Sequence, residues 1–148
     1  GEVTLSNGKV IGHHKGIWFY TIGQRHGFST DRWLSDSPIS DHPPLYVISK
    51  DIKHNRLVVG FGSECYRDSF EISDCNWLCQ KDSLAAGRTV LKKLACLVRL
   101  RHCGGLIPSV LEGFRVRLST PQRGIAPGQS AVFYSKDGIV LGGGVILN

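Results

Sequence analysis

The residues best equipped for chemistry crowd into one run, Gly12-His13-His14-Lys15-Gly16-Ile17-Trp18-Phe19-Tyr20-Thr21-Ile22-Gly23-Gln24-Arg25-His26-Gly27-Phe28. It sets three histidines, Lys15 and Arg25 beside aromatic rings and glycines. Cations next to flat rings suit phosphate contacts and base stacking, the interactions that hold single-stranded nucleic acid. The same run also reads as an ordinary strand with glycine turns, and the spacing leaves both readings open. A metal is not expected here, because His13 and His14 are neighbours and strand neighbours point to opposite faces.

Other chemistries find less support. Nucleophilic catalysis needs a Ser or Cys beside a base, and no Gly-x-Ser-x-Gly motif occurs. None of the twelve Asp and Glu stands in a recognisable catalytic pair. Gly142-Gly143-Gly144 lacks the Gly-Lys-Ser/Thr ending of a phosphate loop, so a bulge or close backbone approach is expected there. The five cysteines are Cys65, Cys75, Cys79, Cys96 and Cys103, an odd count that argues against a secreted disulfide framework and for the reducing cytoplasm. Neither Cys75-x3-Cys79 nor Cys96-x6-Cys103 has zinc spacing, and Cys96 reads as a small core residue.

Eighteen Lys and Arg against twelve Asp and Glu give a net charge of +6, which favours an anionic partner. At 148 residues, 41% hydrophobic and 20% charged, the chain is long enough for one ordinary domain or two small ones, and global disorder is not expected. Its longest apolar stretches are strand-sized, so no membrane span is expected. The first residues lack a signal peptide and no Met occurs, so processing or excision from a longer protein is expected.

These side chains must be positioned by strands. Short Val-, Ile-, Leu- and aromatic-rich segments alternate with turns drawn from eighteen Gly and six Pro. Val3–Leu5 and Lys9–Ile11 flank Ser6-Asn7-Gly8, a hairpin signal. Ile17–Thr21 reads as a strand, residues 23–44 as a long connection of the functional or mobile kind, and Leu45–Ser49 with Arg56–Gly60 as a second hairpin. The pattern lapses over Lys81–Arg88, and the expected domains are 1–69 and 70–148. Beyond Leu91, alternation puts Leu94, Cys96, Val98 and Leu100 inward and Lys93, Ala95, Leu97, Arg99 and Arg101 outward. Phe114, Val116 and Leu118 alternate with Arg115 and Arg117, and Lys136-Asp137-Gly138 joins a last hairpin. Five or six antiparallel strands without a covering helix point to closure into a small barrel.

The run from Gly12 to Gly27 is followed by Pro44-Leu45-Tyr46-Val47, Asn55 and Val59-Gly60, then by residues 127–134 (Pro-Gly-Gln-Ser-Ala-Val-Phe-Tyr) and 141–146 (Leu-Gly-Gly-Gly-Val-Ile). Together, in this order, these motifs resemble the carboxy-terminal part of the tRNA-specific 2-thiouridylases, the MnmA or TrmU family. The resemblance implies a mainly β chain, with a small β-rich central domain followed by a six-stranded antiparallel barrel like those of translation factors. It implies an enzyme that uses ATP to adenylate the C2 oxygen of a wobble uridine and then delivers sulfur from a cysteine persulfide. In the family, the Ser-Gly-Gly-x-Asp-Ser loop for ATP and the catalytic cysteines belong to an amino-terminal domain. Neither context occurs here, so no catalytic residue, metal or cofactor is expected in this chain, which alone is expected to be inactive. Nothing here looks like a methyl-donor site either, despite the family's older methyltransferase name.

What the resemblance does imply is RNA contact, through an Arg-aromatic-Arg strand and the Gln of Pro-Gly-Gln. The matching residues are Arg99, Leu100, Arg101 and Gln129, with Leu100 replacing the usual aromatic. The loop at Gly23-Gln24-Arg25, with His14, is expected to lie against the catalytic domain and help shape the wobble-base pocket. The implied partners are tRNA, the amino-terminal domain in cis and a sulfur-relay protein. A competing reading is a protein-interaction module in which the same surfaces dock that relay protein.

Overall fold

The computed structural model describes residues 1–30, 43–78 and 93–147. Residues 31–42 of the expected long connection, the lapse at 81–88 and Cys79 lie outside these described residues. The chain divides into two compact units, Gly1–Tyr66 and Arg67–Asn148.

The first unit holds β1 (Glu2–Leu5), β2 (Val10–His13), β3 (Ser29–Thr30), β4 (Leu45–Asp51) and β5 (Arg56–Phe61). They form one sheet in the order β3-β2-β1-β5-β4. β1 and β5 run parallel, with Val3 opposite Leu57, and the remaining neighbours are antiparallel. The Asn7-Gly8 turn forms as expected, closed by the Gly8 amide on Leu5 O at 2.9 Å and the Lys9 amide on Asn7 Oδ1 at 3.0 Å. β4 runs two residues past Ser49, and Asp51 stops it by accepting from the backbone N–H of His54 at 3.1 Å. Hydrogen bonds from His54 hold the Asp51 carboxyl below its usual range. Glu64 is lowered likewise, by bonds from Ser6 and the Phe61 amide. Val3, Ile11, Val47, Leu57 and Val59 pack with Tyr20 into the core of this unit.

The expected strand over Ile17–Thr21 is instead a 3-10 turn over Ile17–Phe19. A helical turn sets residues three apart on one side. That buries Ile17 with Tyr20 and leaves Trp18 and Phe19 exposed by 72% and 77%. The Ile-Trp-Phe-Tyr order has no polar alternation, and this spacing of three is what it satisfies.

The second unit is a closed barrel of β6 (Tyr66–Trp77), β7 (Leu94–Arg99), β8 (Ile107–Glu112), β9 (Arg115–Arg123), β10 (Ser130–Tyr134) and β11 (Val140–Ile146), in the order β10-β11-β6-β9-β8-β7. The architecture is therefore the mainly β one expected, with a six-stranded antiparallel barrel. Phe133, Val98, Leu111, Val116 and Ile146 fill its interior, and Leu94 and Leu100 pack partly against them. Phe114 does not continue the inward row: β9 begins at Arg115, and Phe114 sits in the turn, 66% exposed, its carbonyl accepting from the Ile72 amide at 2.9 Å.

The glycine triplet lies inside β11. A Cβ on Gly142 would collide with the Asn76 carbonyl oxygen and the Trp77 ring, and the register slips between Gly143 and Val145. Glycine here admits the neighbouring backbone of β6, as close approach and a bulge require. Among the described residues no helix is long and apolar enough to cross a membrane.

Phe133 is fully buried, and its ring lies 5.6 Å from that of Trp77. Phe133→Ala is expected to cost about 3–5 kcal/mol, the usual penalty for emptying such a site. Denaturant melts of the two proteins measure it directly.

Candidate nucleic-acid interface

β7 meets β10 in three pairs, Arg99 opposite Val132, Val98 opposite Phe133 and Leu97 opposite Tyr134. Alternation turns Val98 and Phe133 inward, so Arg99, Val132, Leu97 and Tyr134 share the outer face. Arg99 and Tyr134 are diagonal neighbours, within reach of long and aromatic side chains. The Arg99 guanidinium lies over the Tyr134 ring, 5.1 Å from its centre, and Nη1 donates to the Tyr134 hydroxyl at 3.4 Å. The Arg99 Nε is shut from solvent and has no hydrogen-bond partner. Arg99 is half-buried and flattened on the barrel wall rather than freely solvated.

β7 stops at Arg99, so Arg101 lies in the following turn and not on the strand as alternation had placed it. The Gly104 amide closes that turn on Arg101 O at 3.0 Å, with Cys103 at φ +58°. Arg101 Nη2 reaches back to the carbonyls of Arg123 and Gly124, at 2.6 and 3.4 Å. This charge-assisted tether fixes the head of an otherwise exposed side chain.

Pro127-Gly128 forms the third wall. Gln129 N donates to Ala126 O at 3.3 Å, and Gly128 has φ +84°, the positive value that a type II turn needs after its proline. The Gln129 side chain folds back so that Oε1 accepts from Ala126 N at 3.2 Å.

Arg99, Leu100, Arg101 and Gln129 thus line one cleft of about 640 Å³, together with His102 and Tyr134. Leu100 packs partly against the barrel interior, so the aromatic face of the cleft is Tyr134, from another strand. Sequence reasoning missed Tyr134; the signal that could have found it is the register of the β7–β10 ladder.

His14, Gln24 and Arg25 belong to the first unit. His14 is buried, accepts from the Gly16 amide at Nδ1 (3.2 Å), pairs Nε2 with Asn55 O (3.2 Å) and meets the Tyr20 ring edge-on. One tautomer satisfies both ring nitrogens, and the ring serves the core. Gln24 accepts from the Thr21 amide at 3.0 Å and donates to His26 O at 2.6 Å. Its carbonyl accepts from the Val47 amide at 2.9 Å, which ties the loop to β4. Arg25 is exposed and holds no partner among the described residues. The loop is a braced platform with one free cation.

Among the described residues no group of three or more His, Cys, Asp or Glu is placed to hold a metal ion. Burial pushes the Cys75 and Cys96 thiols up, away from the thiolate that sulfur chemistry needs.

The barrel wall thus brings Arg99, stacked over the Tyr134 ring, together with Arg101 and Gln129 in one cleft. The chain matches the model of a tRNA methyl transferase PRC-barrel domain over residues 1–61 and that of an aminomethyltransferase beta-barrel domain over residues 67–146. It is 38% identical over 150 residues to a tRNA-specific 2-thiouridylase MnmA of Desulfotalea psychrophila, covering 99% of this chain and 39% of that protein. It is 40% identical over 153 residues to the one of Pseudomonas savastanoi pv. phaseolicola, covering 99% of this chain and 38% of that protein. A third, from Picosynechococcus, is 38% identical over 151 residues with the same two coverages, 99% and 38%. The chain belongs to the tRNA-specific 2-thiouridylase family and corresponds to its carboxy-terminal domains. It spans less than two fifths of the length of these relatives.

The Tyr134 ring supports Arg99 chiefly through its face. Tyr134→Phe is expected to change stability by less than about 0.5 kcal/mol, and Tyr134→Ala to cost at least about 0.5–1 kcal/mol more. A double-mutant cycle with Arg99→Ala should recover that difference as coupling.

Proposed function

We propose that this chain is the tRNA-positioning part of a tRNA 2-thiouridylase. The barrel holds the RNA while residues outside these 148 carry out sulfur transfer to the wobble uridine. The observation that carries this reading is the shared cleft, in which two arginines, an aromatic ring and the Gln129 amide face one opening. That set offers phosphate contacts from cations and a hydrogen-bond donor from a neutral amide. Tyr134, already covered by Arg99, holds the guanidinium against the barrel wall rather than serving as a free stacking surface.

ATP-dependent adenylation and persulfide transfer fall to the amino-terminal domain in cis. The glycine triplet does not fit a nucleotide phosphate: Gly142 and Gly144 are closed by the β6 backbone and Gly143 by that of β10. Cys65, Cys75, Cys96 and Cys103 form no disulfide, which suits a chain working in the reducing cytoplasm. In the first unit, Arg25 serves the wobble-base pocket from a loop fixed by Gln24, while His14 braces the Tyr20 ring of the core.

A second reading, docking of a sulfur-relay protein, draws on the exposed Trp18 and Phe19. Large exposed rings mark contact surfaces. Lys50 stands 5.9 Å from the Trp18 ring centre and donates to Tyr20 O at 3.0 Å, which steadies the pair.

Salt separates the two readings. On the RNA reading, this chain binds tRNA with an affinity that falls linearly on a log–log plot against salt, and Arg99→Ala/Arg101→Ala reduces the slope by about one unit per lost contact. An unchanged slope in the variant, or no tRNA binding at low salt, would refute it. For the loop, Arg25→Ala in a full-length enzyme should lower the sulfur-transfer rate more than tRNA affinity, and an equal rate would remove Arg25 from the pocket.

A further inference from the structure

The outer face of the barrel carries a second cleft, of about 490 Å³, across β7, β8 and β9. Register builds its floor: Ala95 stands opposite Val110, Leu97 opposite Pro108, and Val110 in turn opposite Arg117. The floor is aliphatic and contains no aromatic ring. Its rim carries Lys93, Arg117 and Lys136 against one carboxylate, Glu112. Among the described residues none of these three cations is held in an ion pair or hydrogen bond, and neither is Glu112. Three uncompensated cations over a small apolar floor lower the cost of bringing a chain of phosphates close.

The position of this cleft matters as much as its charge. Leu97, in its floor, pairs directly with Tyr134 of the first cleft, so the two adjoin along β7 and β10. From Arg99 to Lys93 the strand advances six residues, about 20 Å at the usual rise. One strand of a duplex places about six phosphates along that distance.

We infer that the β7–β8–β9 cleft is a second site for the RNA backbone, continuous with the Arg99 cleft, in which Lys93, Arg117 and Lys136 bind phosphates of one strand. The inference rests on the tRNA-binding reading above and extends it. An aliphatic floor offers nothing for a base to stack on, so the site contributes affinity and orientation without sequence preference. Arg117 lies about two strand spacings, or roughly 10 Å, from Ala95, so the site extends across the barrel wall as well as along β7.

The test is tRNA binding by this chain over a range of salt, comparing the unsubstituted protein, Lys93→Gln/Arg117→Gln/Lys136→Gln, Arg99→Ala/Arg101→Ala and Glu112→Gln. The triple variant should lower the slope of log affinity against log salt by about two or more. Glu112→Gln, which removes the opposing charge, should tighten binding about two- to fivefold at low salt, an effect that damage to the fold would not produce. Thermal melts check folding, and if the triple variant melts early, the three single substitutions each take about 0.7–0.9 from the slope instead. An unchanged slope in the triple variant, with a reduced slope in Arg99→Ala/Arg101→Ala, overturns the second site and leaves the tRNA reading standing. Absence of tRNA binding by the unsubstituted chain overturns both. Loss of binding to an acidic protein but not to tRNA in the triple variant assigns the cleft to a protein partner and overturns the inference.

Discussion

Three residue pairs between β7 and β10 close the barrel, and nearly everything proposed for this chain depends on them. Without that ladder the six strands form an open sheet with two bare edges, which invites pairing with other chains. With it, Val98 and Phe133 are locked into the interior, and the alternate residues Arg99, Val132 and Tyr134 are brought together outside. A single constraint therefore sets both the core and the cleft. A one-residue slip of β7 would bury the arginine and expose Val98, and one of β10 would expose the phenylalanine.

Closure also explains why the cleft can hold charge steadily. Long side chains lose rotamer freedom whenever they bind. Arg99 has already surrendered much of it to the Tyr134 ring, and Arg101 to the carbonyls of Arg123 and Gly124. Both heads are positioned before a ligand arrives, which reduces what binding must spend on ordering them. Arg25 differs: its loop is braced through Gln24, yet the side chain itself has no partner among the described residues.

Much of this was legible in the sequence because a period of two survives wherever one strand face is buried. The alternation of Leu94, Cys96 and Val98 with Ala95, Leu97 and Arg99 is the pattern found, and barrel closure follows from the number of strands and the lack of helices to cover them. The reading failed where tertiary contact overrides period. At Ile17–Phe19 a spacing of three buries Ile17 with Tyr20, and an all-apolar run gives no alternation to distinguish a strand from a turn. Phe114 looked like a third inward residue because nothing local marks Gly113-Phe114 as the turn. The parallel pairing of β1 with β5, and the Tyr134 partner of Arg99, depend on segments far apart in the chain. Leu100 carried the expectation of an RNA-facing residue from its place in a motif, but its partial packing against the barrel interior limits what it can present.

The type II turn at Pro127-Gly128 has its own chemical consequence. A glutamine amide ordinarily offers an acceptor and two donors, and can therefore meet either kind of partner. Because Oε1 of Gln129 already accepts from the Ala126 amide, the NH2 end is the part of the group with both its bonds left for the cleft. The residue is biased toward partners that bring lone pairs, such as a hydroxyl, carbonyl or phosphate oxygen. It carries no charge, so any contact it makes displaces no counterion. Affinity gained there would persist in strong salt, after the arginines beside it have been screened.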